Sequence, residues 1–181
     1  MAASASVAQA QIFTPTFMPP RAGAETGIFL SDGPGSFSTE GIWRLAFGGY
    51  ALGFRGGIAD TGGATLLLAG EFRNPLHLAE VPLQVAFTAA VQGALGHASG
   101  AGVQGGLTIG QTFEPGDFSV TPYIHPRIAA VNDLGPSDNL NLEVLADVGF
   151  EFSFPQNVIF HIGFGLGDPT AGWGVGFSWR Q

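Results

Sequence analysis

Between Leu140 and Phe154 every even position is apolar: Leu140, Leu142, Val144, Ala146, Val148, Phe150, Phe152 and Phe154. The positions between them are Asn141, Glu143, Leu145, Asp147, Gly149, Glu151 and Ser153. Side chains of a β-strand alternate faces with period two, so this stretch predicts a strand with one apolar face and one polar or small face. After Pro155-Gln156-Asn157 the pattern resumes, with Val158, Phe160, Ile162 and Phe164 set against Ile159, His161, Gly163 and Gly165. The last segment sets Trp173, Val175, Phe177 and Trp179 against Gly174, Gly176, Ser178 and Arg180.

Alternation alone does not say which face is interior. A soluble sandwich or barrel buries its large apolar face and wets the polar one. Here the second face holds glycines, a few carboxylates, a His and an Arg, with no lysine, which makes a poor solvent face. Large residues outward toward lipid, with small and polar residues inward, is the arrangement of a transmembrane β-barrel. The chain is 45% hydrophobic, yet no apolar run approaches the roughly 20 residues of a spanning helix. Its 29 Gly and 12 Pro suit disorder, but 16 Phe and the regular alternation argue against it. Six Arg, no Lys and 14 acids give a net charge of -8 and no basic patch for nucleic acid. Without cysteine there is no disulfide or thiolate metal site, and no cofactor is expected.

Ala8-Gln9-Ala10 before Gln11 looks like the small-x-small end of a secretory signal and predicts export. Residues 1–10 are read as residual signal or disordered tail. Residues 11–25 are read as an extended arm carrying Pro15, Pro19 and Pro20, and 26–181 as the barrel. A short strand is predicted from Thr26 to Ser31, before the turn-rich Asp32-Gly33-Pro34-Gly35. Trp43, Leu45 and Phe47 are odd, whereas Tyr50, Leu52 and Phe54 are even, so the apolar face changes parity at Gly48-Gly49. A bulge in one long strand would do this. A two-residue hairpin would too, and it keeps each strand near the 9–11 residues a crossing needs. The hairpin is preferred.

Further strands are predicted from Ala64 to Arg73, ended by Pro75, then over Pro82–His97, Ala101–Phe113 and Phe118–Val131. The expected fold is an all-β, up-and-down antiparallel barrel of transmembrane type with 8–10 strands, ten preferred. The turns at Gly48, Glu114 and Pro155 then share one end with both termini. Phe47, Tyr50, Phe113, Phe118, Phe154 and Trp179 flank that end as an interfacial girdle. Phe160, Phe164, Trp173 and Phe177 join them as lipid- or partner-facing positions. The opposite end carries Asp60, residues 96–100, Asp133 to Asp138 and Asp168.

With the alternating strands from Ala64 to Trp179 and the closing Val175-Gly176-Phe177-Ser178-Trp179, the chain resembles the small outer-membrane β-barrel proteins of diderm bacteria. Arg180 and Gln181 follow Trp179, past the aromatic residue at which that family's last strand usually ends. The resemblance implies a barrel in the outer membrane with lipid as its partner. It carries over no substrate and no catalytic residue, because fold does not fix function.

The inward face predicts a polar network of Arg44, Arg55, Glu71, Arg73, Tyr123, His125, Arg127, Glu143, Asp147, Glu151, His161 and Arg180. Register around Gly135 brings Arg127 near Glu143, and His125 near Asp147 or Leu145. The turn at Pro155 places His161 opposite Glu151. Buried charges need partners, so these residues are expected to fill a narrow barrel with ion pairs. Alternatively they line a small path for ions or small molecules, for which Gly163, Gly165, Gly174, Gly176, Ala86, Ala90, Thr88 and Thr108 leave room. Such a path is expected to favour cations, because acids outnumber arginines. No metal is expected, since His125 and His161 lie two strands apart. The function read from this is a structural or passive small-pore protein. The alternatives are a self-assembling barrel packing as a homo-oligomer through its apolar outside, and a rim-site hydrolase. The hydrolase would draw on His97, Ser99, Asp60, Asp133 and Asp168, but no nucleophile motif surrounds Ser99, so no enzymatic activity is expected.

Overall fold

The structure is a computed structural model that describes residues 15–21, 23–33, 36–78, 82–97, 99–133, 140–166 and 172–181. The signal-like Ala8-Gln9-Ala10, Pro34, Gly35, Asp138 and Asp168 lie outside the described residues. Ten strands follow one another: β1 (Glu25–Gly33), β2 (Ser36–Phe47), β3 (Tyr50–Asp60), β4 (Ala64–Leu76) and β5 (Gln84–Gly96), then β6 (Gly100–Gly110), β7 (Ser119–Asp133), β8 (Leu140–Ser153), β9 (Val158–Leu166) and β10 (Gly172–Arg180). Each pairs antiparallel with its sequence neighbours, and β1 pairs with β10 to close a barrel. The strand number is ten. Closure removes the unpaired edges that an open sheet of this hydrophobicity would expose.

The parity slip at Gly48-Gly49 is a hairpin: Phe47 pairs with Tyr50, Leu45 with Leu52 and Trp43 with Phe54. Gly48 holds φ +60, a left-handed conformation that a Cβ makes costly. Several boundaries differ from the expectation: β1 runs from Glu25 through the predicted turn residues Asp32 and Gly33, β5 begins at Gln84, and β6 ends at Gly110. β4 continues through Pro75 to Leu76, with Pro75 paired to Ala86 and Leu76 to Val85. The reason lies on the other side of the strand, where the β3 pairing stops at Arg73. Past that residue β4 is an edge, where proline's missing N–H costs no ladder bond. Proline also marks β7. The β6–β7 ladder pairs Gly106 with Arg127 and Ile109 with Ile124, and breaks off between them beside Pro126.

Outside, the wall is apolar. Phe47, Tyr50, Phe113, Phe118, Phe154, Phe164, Trp173, Phe177 and Trp179 are all exposed, and Phe160 is partly so. Around the terminus-side end the rings touch in series. Phe47 stacks on Tyr50 at 5.7 Å, Phe118 on Phe154 at 5.9 Å, and Phe160 meets Phe177 at 4.8 Å. Inside, small apolar residues (Ala59, Leu67 and Ala94) form one cluster, and Phe17, Phe29 and Ile42 form another. Phe17 belongs to no strand. Residues 15–21 join no sheet but lie within the barrel, with Pro15 to Pro20 buried. The sequence marked this arm as extended and non-sheet, and gave no sign that the wall encloses it.

Candidate functional site

The site is the lumen and the arm inside it. Inward positions of β2, β3 and β4 project Arg44, Arg55 and Arg73, each almost fully buried. Arg44 is gripped by Glu25 and by Glu71 at 3.0 Å, and Arg55 by Glu40. From these mounts the guanidiniums reach the arm's backbone. Arg44 donates to the Phe17 carbonyl at 2.9 Å, and Arg55 to those of Thr16 and Pro15 at 3.1 and 3.2 Å. Arg73 donates to the Pro19 carbonyl at 2.7 Å, its one hydrogen bond among the described residues, and it forms no ion pair with them.

On the opposite wall Asp147 takes both donors of Thr16, the N–H at 3.1 Å and the hydroxyl at 2.6 Å, while Arg127 donates to its other oxygen at 3.0 Å. Since the Thr16 hydroxyl is spent on Asp147, His125 Nδ1–H donates to Thr16 Oγ1 at 2.8 Å. His125 Nε2 lies 2.7 Å from the Thr88 hydroxyl, so both ring nitrogens are engaged. At the mouth where β1 begins and β10 ends, Arg21 pairs with Glu151 and donates to Ser153 Oγ at 2.9 Å. Arg180 reaches the same serine at 3.2 Å.

Two of the small inward residues, Gly163 and Gly174, seat the arm. A Cβ at Gly174 would lie 2.6 Å from Phe17 Cζ, and one at Gly163 would lie 2.8 Å from Pro15 Cγ. The Phe17 ring packs on Phe29 at 4.7 Å under the Arg55 guanidinium, 5.6 Å from the ring centre. Two voids of about 10 Å³ each border Arg73, one beside Met18 and Arg44 and one beside Arg21, Glu25 and Glu151. That is room for roughly one water apiece.

The registers place the expected network as follows. His125 opposes Asp147, and Glu151 opposes His161. Arg127 opposes Leu145, with Glu143 and Asp147 diagonal to it on either side. Glu143 itself faces Ala129 and is half-buried. Tyr123 lies buried across Gly149, whose missing side chain makes room for its ring. Glu25 and Glu40 were missed, although strand parity points both inward. Thr16 and Arg21 were also missed, and carry no periodic signal.

Two arrangements bear on chemistry. Glu25, Glu151 and His161 bring ligand atoms within 4.8 Å of one another, a spacing that could hold a divalent ion. Their carboxylates, however, are already engaged by Arg44 and Arg21. Ser178, His161 and Glu25 resemble a nucleophile set in composition only. The Ser178 hydroxyl is shared, lying 3.1 Å from Glu25 and 2.9 Å from His161 Nε2, and all three side chains are buried inside the wall.

No protein-family model matches this sequence, and no curated protein matches it. Solved structures do resemble the fold. The β-domain of the Bordetella autotransporter BrkA superposes with a TM-score of 0.54 at 12% identity, over 88% of this chain and 99% of that one. The KdgM porin in complex with disordered oligogalacturonate gives 0.51 at 10% identity, over 86% and 98%. A bacterial polysaccharide outer membrane secretin gives 0.51 at 8% identity, over 81% of this chain and 57% of that one. At such identities the likeness is one of fold. The chain is a closed ten-stranded up-and-down barrel of the kind seen in outer-membrane proteins.

Proposed function

We propose that this protein resides in the outer membrane of a diderm bacterium as a passive barrel whose lumen is closed at rest by its own N-terminal segment. The observation that carries the reading is the inversion of its faces. Aromatic and aliphatic side chains cover the outside, while Arg44, Arg55, Arg73, His125, Arg127, Asp147 and His161 are buried inside. In water that outer belt would be an aggregation surface, whereas in lipid it is the stable face. The barrel neighbours, among them a porin and an autotransporter β-domain, support the location. A structural role or a small gated path is favoured over catalysis, because the Ser178–His161–Glu25 set is buried in the wall with the Ser178 hydroxyl bonded to Glu25.

The test is extraction and reconstitution. The protein should require detergent, migrate differently on gels before and after heating, and insert into planar bilayers with long silent periods. A protein that stays monodisperse without detergent would refute the membrane location. A continuously open bilayer current would refute the closed lumen.

A further inference from the structure

We propose that the lumen is a binding site for an extended, proline-bearing peptide segment, with residues 15–21 as its tethered and exchangeable ligand. Two of the three arginines that meet the arm are mounted by the wall alone. Arg44 is fixed by Glu25 and Glu71 and Arg55 by Glu40, so their forks are pre-aimed into the lumen. What they read is main-chain oxygen: Arg44 takes the Phe17 carbonyl and Arg55 those of Pro15 and Thr16, while Arg73 takes that of Pro19. A segment rich in proline suits such a site, because proline offers an acceptor and no N–H that would need burying. Where the arm does present an N–H at Thr16, Asp147 receives it. Side-chain pockets complete the recognition. Phe17 enters between Phe29 and Ile42 above Gly174, and Pro15 sits on Gly163. A Cβ at Gly110 would meet Pro20 at 3.2 Å.

Three features favour exchange over permanent packing. The arm shares no strand pairing with the wall. Phe17 is held at φ +51, a conformation costly for a residue with a Cβ and sustained only by its surroundings. The terminus-side end rests on Arg21, whose side chain is 33% exposed, so the Arg21–Glu151 pair that closes the mouth is open to solvent screening.

The chain has no cysteine, so Pro15→Cys introduces a unique thiol whose reaction with a maleimide reports release of the arm. The full-length protein folded in detergent should label at least about 100-fold more slowly than the urea-unfolded chain. It should still label faster than Thr108→Cys, a fully buried wall position. Adding Phe17→Ala should accelerate labelling about tenfold or more, because truncating a buried phenylalanine costs several powers of ten in a packed site. Excess synthetic peptide with the sequence of residues 15–21 should accelerate it too, by holding the site while the arm is out. A scrambled peptide should not. Labelling at the pace of Thr108→Cys, indifferent to Phe17→Ala and to peptide, overturns the proposal in favour of a permanent core. Labelling as fast as the unfolded chain overturns it by placing the arm outside. The proposal rests on the closed-lumen reading but not on the membrane location, and because the readout is taken in detergent, failure to insert into bilayers leaves it intact.

Discussion

Replacing Arg127 by alanine strands a carboxylate that has almost no contact with solvent. Asp147 would keep the two Thr16 donors at 3.1 and 2.6 Å and lose its cation at 3.0 Å. Losing one partner of a buried pair costs about 3–5 kcal/mol, whereas removing both leaves no unpaired charge. Asp147→Ala should cost a similar amount, since it removes the carboxylate that Arg127 donates to and unlatches Thr16. If each single change costs about 3–4 kcal/mol, the double change should cost about 4–5 and not 6–8, a coupling of about 2–3 kcal/mol. Urea unfolding in detergent, followed by tryptophan emission and by the heat-sensitive gel shift, measures all four corners of the cycle. Losses that add to within about 0.5 kcal/mol would refute the pairing.

The two faces and the first tight turn give further tests. Val148→Arg, on the outward face between Ile124 and Phe164, should cost roughly 2–4 kcal/mol of folding into lipid vesicles, seen as a loss of the heat-sensitive band. Gly163→Ser looks harmless for a polar channel lining, but it crowds Pro15 and should lower stability and expose the arm to protease. Gly48→Val should destabilise by about 1–2 kcal/mol because of its φ of +60. Gly49→Ala, which meets nothing within 4 Å, should be nearly neutral in the same unfolding assay.

The wall was legible because its information is local. Period-two alternation oriented the strands from Trp43 on, and at the parity change of Gly48-Gly49 strand length favoured the hairpin over a bulge, with a register that the pairing of Phe47 with Tyr50 bears out. The turn at Pro155 likewise set Glu151 opposite His161. What depends on distant partners was not legible. Pro75 looks like a strand end unless one knows that β3 has already stopped at Arg73. The arm was harder still. Prolines carry no periodicity, and the arginines that hold it bind carbonyl oxygens, which every residue owns and no sequence pattern advertises. The glycines at 163 and 174 read equally well as the lining of a void and as seats for Pro15 and Phe17. Only the three-dimensional arrangement decides between them, and it chose the seats.

The seam between β1 and β10 has a consequence for how such a molecule can be made. Every other strand pair joins neighbours in the chain, but this one joins its ends, and the Ser178–Glu25 bond across it spans 153 residues. Contacts of that separation form late and slowly, because the loop entropy must be spent before they contribute. The arm precedes β1 yet rests on glycines of β9 and β10, so it cannot be seated before the last strands arrive. Once the seam is shut, the wall surrounds it. The segment therefore takes its seat only as β9 and β10 close on β1, and the last step of rolling up the sheet is also the step that creates its pocket.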